Sequence, residues 1–246
     1  MSGTIAAWGA TDPGRARENN EDAWSIEESL QAAILADGIG GRNCGEVGSA
    51  VTVETVTGYL MAPHPDLTLE ELAKEAIREA NRRVIEVARA RRECGGMGST
   101  IVLALWRLPE MAIANVGDSR GYIFRGGELR QVTYDQNFAN ELRTNLGLSE
   151  ERVQSMPNRN VLTMAVGGHE HILIRTHVET LQPGDVVLMC SDGLHGPVDH
   201  ATLVSTLSGP GTLREKVERL IARANGNGGP DNVTAVLLEY RGESAG

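Results

Sequence analysis

The stretch 31–41, QAAILADGIGG, places one carboxylate, Asp37, after a continuous apolar run and before a glycine-rich segment. Short apolar runs closed by glycines predict a buried strand that ends in a tight turn. Desolvating a carboxylate is costly, so Asp37 needs a positive partner at the mouth of this strand. Two partners are open, Arg42 and a hard divalent cation, and a third interpretation is a turn aspartate bonded to its own backbone.

The glycines that follow Asp37 come close to the dinucleotide-binding pattern G-x-G-x-x-G. Asn43 stands where the third glycine belongs, and the charge of Asp37 would repel a pyrophosphate. A G-x-x-x-x-G-K-[ST] phosphate loop is also absent from the sequence. The sequence therefore argues against a nucleotide-binding site.

Length and charge set the broad class of the protein. The 246 residues are 41% hydrophobic, which is enough for a large core and predicts one domain over residues 1–246. The formal charge of -10, from 33 acidic and 23 basic residues, predicts no nucleic-acid partner and suits a cluster of cation-binding carboxylates.

The cysteines and the N-terminus indicate the compartment. Cys44, Cys94 and Cys190 form neither an even framework nor a C-x-x-C pair, so we expect three reduced thiols that serve packing. The first residues lack a basic segment followed by a long apolar one, and no apolar run reaches the length of a membrane span. The sequence thus predicts a soluble cytoplasmic protein without a membrane partner.

Hydrophobic periodicity divides the chain into blocks of strands and pairs of helices. Helices are predicted over 45–61 and Leu69–Ala90, the second with a capping box formed by Thr68 and Glu71. Further helices are predicted over 199–207 and 212–224. Short strands are predicted over 101–106, 111–115, 121–124, 128–132, 172–178, 185–189 and 233–240. Blocks of this kind favour antiparallel sheets with helices on the outside.

Five acidic residues stand next to predicted strand ends. They are Glu21, Asp37, Asp118, Asp192 and Asp231. Their shared context favours an oxygen-ligand site for a divalent cation over five independent turn residues. Without neighbouring His or Cys ligands, such a site suits magnesium or manganese rather than zinc.

Seven short motifs in order make the chain similar to the bacterial metal-dependent serine/threonine protein phosphatases of the type 2C, or PPM, family. The motifs are 17–22 (RENNED), 36–41 (ADGIGG), 98–100 (GST), 117–120 (GDSR), Leu162-Thr163 with Gly167, 191–194 (SDGL) and 231–234 (DNVT). The resemblance implies an α+β fold, a four-layer αββα sandwich in which two antiparallel β-sheets are flanked by pairs of helices.

The resemblance also implies a metal site with two manganese or magnesium ions. Asp37 would bridge both ions, and the carbonyl of Gly38 would bind one of them. Asp192 and Asp231 would complete one shell, and Glu21 would reach the other ion directly or through water.

Further residues receive supporting roles from the resemblance. Asp118, together with Asp192, matches positions that hold a third, weaker ion in bacterial members. Asp22 and Asn232 would support the ligands from behind. Residues 136–168 correspond to a flap subdomain beside the substrate groove.

Arg17 resembles the family's phosphate-binding arginine, which with Asp37 and Asp192 makes up the implied catalytic set. Its planar guanidinium suits a phosphoryl group, and the alternative is an ion pair with Glu18 or Glu21.

The implied activity is hydrolysis of phosphoserine and phosphothreonine by a metal-bridging water. The implied substrates are phosphorylated proteins, including a Ser/Thr kinase whose action the enzyme, a monomer, would reverse. Two alternatives stay open, a phosphatase of small phosphoesters and a non-catalytic phospho-binding module. A cysteine-dependent phosphatase is excluded, because no C-x₅-R follows any cysteine.

Three positions depart from the family pattern. Ile39 stands where eukaryotic members carry a histidine, so a metal-bound water would have to protonate the leaving group. Gln136 replaces the histidine of an Asp-His pair, and Met164 replaces an arginine. The last two changes lie on the flap side and bear on substrate choice.

Overall fold

A computed structural model describes residues 3–40, 44–156 and 158–242. Gly41, Arg42 and Asn43, which figured in the predictions above, lie outside the described residues. The strands are β1 Thr4–Asp12, β2 Asp22–Glu27, β3 Ala32–Ile39, β4 Gly98–Ser99, β5 Ile101–Arg107, β6 Glu110–Val116, β7 Arg120–Arg125, β8 Glu128–Gln131, β9 Arg175–Thr180, β10 Val186–Cys190 and β11 Val233–Arg241.

The helices lie between these strands in groups. They are α1 Gly45–Leu60, α2 Leu69–Ala90, α3 Phe138–Leu146, α4 Glu150–Gln154, α5 Asp192–His195, α6 His200–Ser208 and α7 Leu213–Gly226. None of the helices in the described ranges combines the length and apolarity needed to cross a membrane.

Two antiparallel sheets form the centre of the molecule. The first sheet has the strand order β1-β11-β10-β7-β8, and the second has the order β2-β3-β5-β6-β9 with β4 beside β3. Leu35 and Val102 of the second sheet pack between the sheets against Met189 and Val236 of the first. This inner layer is apolar and buried, so the sheets lie face to face.

Helices cover the outer face of each sheet. Helices α1 and α2 pack on the second sheet, where Ile77 and Val84 join a cluster with Ile34 and Leu103. Helices α6 and α7 pack on the first sheet in a separate cluster. The predicted α+β four-layer αββα sandwich is confirmed.

Helix α2 begins and ends at the residues predicted from the sequence. Its capping box is present, since the Thr68 hydroxyl accepts a hydrogen bond from the Glu71 N–H and the Glu71 carboxylate accepts one from the Thr68 N–H. Local signals sufficed here because the helix carries its own start signal and one continuous apolar face.

Strand β3 runs further than predicted, and Asp37 lies inside it rather than at its end. Gly38 and Ile39 continue the strand and pair with β4. A β-carbon at residue 38 would lie 2.1 Å from the Gly45 carbonyl oxygen. The prediction of a tight turn was therefore wrong, because this glycine permits close approach of α1 instead of a bend.

Residues 136–168 contain more regular structure than the predicted short helix and long excursion. Two helices, α3 and α4, form within this segment. Ala139, Leu142 and Val153 pack into a small cluster of their own. The sequence missed α4 because a helix of five residues has almost no periodic signal.

The prediction of three reduced cysteines was wrong for two of them. Cys44 and Cys94 form a disulfide with a Cα–Cα distance of 5.4 Å, while Cys190 is free and buried. The bond joins the residue before α1 to the turn after α2. Sequence spacing does not show that these two helices pack antiparallel, which is what brings their ends together.

Candidate metal centre

The centre of the site is the pairing of β2 with β3. Asp22 lies directly opposite Asp37 in the antiparallel register of these two strands. The Asp37 N–H donates to Thr100 Oγ1 at 3.0 Å, and that hydroxyl contacts Ser119 Oγ at 2.7 Å. The backbone of Asp37 is thereby fixed by side chains from the neighbouring strand and loop.

Asp22 lies behind Asp37, and its two carboxylate oxygens have different environments. Oδ2 accepts hydrogen bonds from Ser191 Oγ at 2.8 Å and from Thr234 Oγ1. Oδ1 is buried and has no hydrogen-bond partner among the residues that the structure describes. A buried carboxylate oxygen without a partner is costly unless a positive group lies nearby.

Three more aspartates reach the same place from different elements. Asp118 lies in the loop between β6 and β7, Asp192 is the first residue of α5, and Asp231 precedes β11. A cleft of about 450 Å³ brings them together with other residues singled out in the sequence. These lining residues are Arg17, Glu21, Asp37, Gly38, Asp118, Asp192, Asp231 and Asn232. Asp22 lies outside this lining, next to the base of Asp37.

The crowding of carboxyl groups raises their pKa values. Burial and then the charges of neighbouring aspartates hold the pKa of Asp37 well above its usual range. Burial raises the pKa of Asp22 to about 6 and that of Asp118, which also faces Asp192, to about 7. Burial and the charge of Asp231 likewise raise the pKa of Asp192. The protein thus holds several carboxylates where their charges repel each other.

Arg17 lies at the edge of this group of carboxylates. Its Nη2 atom is 2.8 Å from Asp231 Oδ2, and half of its side chain is exposed. Neither ion-pair partner considered from the sequence, Glu18 or Glu21, is the one observed. Arg17 still lowers the pKa of Glu21, although burial outweighs this and the net shift is upward. The arginine therefore places a positive charge beside the cleft.

Asn232 fixes the loop that carries Glu21. Its Oδ1 accepts the Glu21 N–H at 2.8 Å, and its Nδ2 donates to the carbonyls of Pro13 and Asn19. The Gly38 N–H donates to the Glu21 carbonyl at 3.0 Å. Glu21 and Gly38, which come from separate elements, are thereby held next to each other.

The loop of Asp118 depends on residues that sequence reasoning gave no role. Asn137 Nδ2 donates to Asp118 Oδ2 at 3.1 Å, and Gln136 Oε1 accepts the Gly117 N–H at 2.8 Å. His195 Nε2 is 3.0 Å from the Asp118 carbonyl, and burial lowers the pKa of His195 to about 4. A neutral imidazole must carry its proton on Nε2 to donate to that carbonyl.

These supporting residues had weak signals in the sequence. Thr100, Ser191 and Thr234 are polar residues inside matched motifs and are almost completely buried. For Ser191, the hydroxyl directly before the acidic residue of its motif is the signal that could have found it. His195 carried no comparable signal.

The carboxylates fit hard divalent cations by their chemistry. Among the described residues, no three acidic, His or Cys side chains converge as a ready-made ligand shell. The charge of Asp192 contributes to the raised pKa of Asp37, so the two carboxyl groups repel each other. Oxygen donors with raised pKa values and an unpartnered buried oxygen at Asp22 together form an environment that a cation of charge +2 would stabilise.

A two-sheet sandwich with an acidic cleft and a bordering arginine has the features of a phosphate-ester hydrolase that uses divalent cations. Comparison with known proteins identifies the family. The model of the protein phosphatase 2C family matches residues 14–237. The serine/threonine phosphatase Stp of Listeria innocua is 35% identical over 235 residues, covering 93% of each chain.

Solved structures agree with this match. The serine/threonine phosphatase PstP/Ppp of Mycobacterium tuberculosis superposes with a TM-score of 0.89 at 32% identity, over 97% of this chain and 99% of that one. The catalytic domain of PstP in complex with two manganese ions has a TM-score of 0.87 at 30% identity, over 98% and 100%.

The chain belongs to the protein phosphatase 2C family. This match confirms the resemblance seen in the sequence. It also confirms the predicted class of enzyme, a metal-dependent serine/threonine protein phosphatase.

Proposed function

We propose that this protein removes phosphate from phosphoserine and phosphothreonine in proteins, with manganese or magnesium as cofactor. The observation that carries the proposal is one cleft lined by four aspartates, a glutamate and Arg17. When bound, two such ions supply a hydroxide-like nucleophile at neutral pH and neutralise charge on the phosphoryl oxygens.

The ligand roles are proposed from the family resemblance, and the shared cleft supports them. Asp37 would be shared by the two ions, and the Gly38 carbonyl would hold one of them. Asp192 and Asp231 would complete one shell, and Glu21 would serve the other. The charges of Asp118, Asp192 and Asp231 act on the Asp37 carboxyl group, which supports its shared role.

Asp118 is proposed to hold a third, weaker ion together with Asp192. The two carboxyl groups interact, since the charge of Asp192 contributes to the raised pKa of Asp118. Asp22 and Asn232 act behind the ligands. Asp22 adds negative charge next to Asp37, and Asn232 holds the loop of Glu21.

Arg17 is proposed to bind the phosphoryl group. Its guanidinium donates to Asp231 through Nη2, its side chain is half exposed, and the residue lines the cleft. A bidentate contact to two phosphoryl oxygens uses the planar donor geometry of this side chain. No covalent phosphoenzyme is needed for this chemistry.

The wider biology is proposed on the same basis. Residues 1–246 form one catalytic domain, and residues 136–168, with their own small apolar cluster, form a flap beside the cleft. The substrates are phosphorylated proteins, among them a Ser/Thr kinase and its targets, and the enzyme works as a cytoplasmic monomer. Nucleic acid is no substrate for a chain of net charge -10.

The test is hydrolysis of a phosphothreonine protein substrate and of nucleotides, each with manganese, with magnesium and with a chelator. We expect metal-dependent release of phosphate from the protein substrate. Asp37→Ala and Asp192→Ala should each reduce kcat by at least about 100-fold and weaken manganese binding in calorimetry, because each removes a charged ligand.

Other outcomes separate the alternatives. Turnover of nucleotides alone would indicate a phosphatase of small phosphoesters. Tight phosphopeptide binding without turnover would indicate a binding module. Unchanged manganese stoichiometry and affinity in both alanine variants would overturn the assignment of the ligands.

A further inference from the structure

The cleft that contains the carboxylates also has an apolar wall. The charged residues that line the cleft are those assigned to the ions and the phosphoryl group. Its apolar lining comes from Ile39 of β3 and from Val161, Leu162 and Ala165 of the flap segment. The two chemistries share one cleft of about 450 Å³, so a substrate that reaches the carboxylates also meets the apolar residues.

Backbone and side-chain contacts fix this wall relative to the carboxylates. Asn137 forms a β-bridge with Leu162, and its side chain donates to Asp118 Oδ2 at 3.1 Å. One residue therefore connects the apolar wall to a proposed metal ligand. Because Asn137 contacts both Leu162 and Asp118, the wall is held close to the proposed metal ligands. A wall held in this way can discriminate between substrates.

The wall continues onto the surface. Phe138, the first residue of α3, follows Asn137, and its N–H donates to the Val161 carbonyl at 2.8 Å. Phe138 is 40% exposed and Val161 is 55% exposed. Two large apolar residues joined by a backbone hydrogen bond are thus exposed, and Val161 also lines the cleft.

We propose that this wall binds an apolar side chain next to the phosphorylated residue of the substrate. The enzyme would therefore prefer phosphothreonine segments with apolar neighbouring residues over segments with polar ones. The inference rests on the proposed phosphatase function and names its specificity. Ile39, Val161 and Leu162 determine specificity, with Phe138 at the rim.

The ligand of the apolar wall can be inferred, because the wall is part of the catalytic cleft. A phosphothreonine whose phosphate reaches Arg17 and Asp37 must place its neighbouring residues along the rest of the same cleft. Apolar side chains there would bury apolar surface on both partners, whereas polar ones would lose water without gaining a partner. The substrate segment itself is therefore the partner, and no separate docking protein is required.

The test compares two phosphothreonine peptides on the manganese-loaded enzyme. One peptide carries leucine at the two positions before and at the two positions after the phosphothreonine. The other peptide carries asparagine at the same four positions. We expect kcat/KM to be about tenfold higher for the leucine peptide, mainly through KM. Val161→Asn should bring this ratio to within about twofold, and Phe138→Ser should lower it as well.

Val178→Asn is the matched control. Val178 is 43% exposed but lies on β9, outside the residues that line the cleft. This variant should keep the tenfold preference, which separates the wall from a general effect of replacing exposed valine.

Each result decides the proposal. Equal kcat/KM for the two peptides in the wild type, or a preference that survives in both Val161→Asn and Phe138→Ser, would overturn the docking role and leave the phosphatase function intact. Failure of the wild type to hydrolyse either peptide would overturn the phosphatase function and the docking role together. Melting temperatures of the variants identify one that does not fold, and the other variant then decides.

Discussion

Arg17 shows how one side chain can serve both the protein and its substrate. It neutralises part of the charge of Asp231, lines the cleft and has a half-exposed side chain. We expect Arg17→Ala to raise KM for a phosphothreonine peptide about tenfold or more while leaving manganese binding intact, because the variant loses a charge-assisted contact to phosphate rather than a metal ligand. Steady-state kinetics at saturating manganese measure this change.

Arg78 provides the control for that substitution. It is an exposed arginine of α2 that pairs with Glu75 on the helix surface. Arg78→Ala should leave KM unchanged. If Arg17→Ala also leaves KM and kcat unchanged, its pairing with Asp231 is its whole role.

Asp118 has two conceivable roles, ligand of a weak ion or support of its own loop. As a ligand it contributes charge, which Asp118→Asn removes while the amide oxygen can still accept from Asn137. We expect a large fall in kcat at low manganese, two ions still bound in calorimetry, and a nearly unchanged melting temperature. A melting temperature lower by several degrees with normal kcat would instead assign Asp118 to the structure of the loop.

The sequence was informative about single residues where a motif surrounded them. The nine residues predicted for the site lie in or behind one cleft, although their ligand roles stay predictions. The partner of Arg17 could not be predicted, because Asp231 is 214 residues away along the chain. Sequence neighbours such as Glu18 are a poor guide when the fold supplies a better partner.

At the scale of elements, the Cys44–Cys94 disulfide connects the two helices that cover the second sheet. It closes a loop with a sequence separation of 50 residues. In the chain-entropy description such a loop contributes about 4 kcal/mol to stability, so we expect Cys94→Ser to lower the melting temperature by about 10 °C in buffer without reductant. Dithiothreitol should lower that of the wild type by a similar amount.

A thiol count checks this prediction independently. Unfolded but unreduced wild type should expose one free thiol, that of Cys190. Cys190→Ser should keep the difference between the two buffers. Three free thiols in the unreduced wild type would contradict the disulfide and restore the prediction made from the sequence.

Helices and strands could be predicted best where the residues that determine them are close together in the sequence. Helix α2 has a capping box and a regular apolar face, and both ends were predicted. The predicted strands 121–124 and 128–132 are joined at Gly126 and Gly127, whose positive φ values of 58° and 91° suit a two-residue hairpin turn. Strand β3 was cut short in the prediction, because the partner that extends it, β4, lies 60 residues further along the chain.

At the scale of the whole molecule, the carboxylates come from both sheets. Asp22 and Asp37 belong to the second sheet, while Asp192 and Asp231 flank strands of the first. Residue patterns predicted that each acid stands near a strand end. That these ends meet follows from the packing of the two sheets, which the family resemblance supplied and periodicity alone did not.

The burial of these carboxyl groups, together with the repulsion among them, makes the stability of the metal-free protein depend on pH. Asp22 and Asp118 have pKa values of about 6 and about 7 in the folded protein, above the ordinary value of about 4 for aspartate. The folded state therefore binds protons that the unfolded chain releases, and stability is lost as the pH rises through 6 and 7. In a chelator we expect the melting temperature to fall by about 5 °C between pH 5.5 and pH 8.

Manganese should reverse this trend, because a bound cation stabilises the charged carboxylates and binds more tightly as they lose their protons. Asp118→Asn should flatten the slope measured in chelator, since it removes one of the titrating groups. Asp66→Asn, at an exposed aspartate before α2, should leave the slope unchanged. A melting temperature that rises between pH 5.5 and pH 8 in chelator, in the wild type and in Asp66→Asn alike, would mean that the buried carboxyl groups are not the cause of the pH dependence.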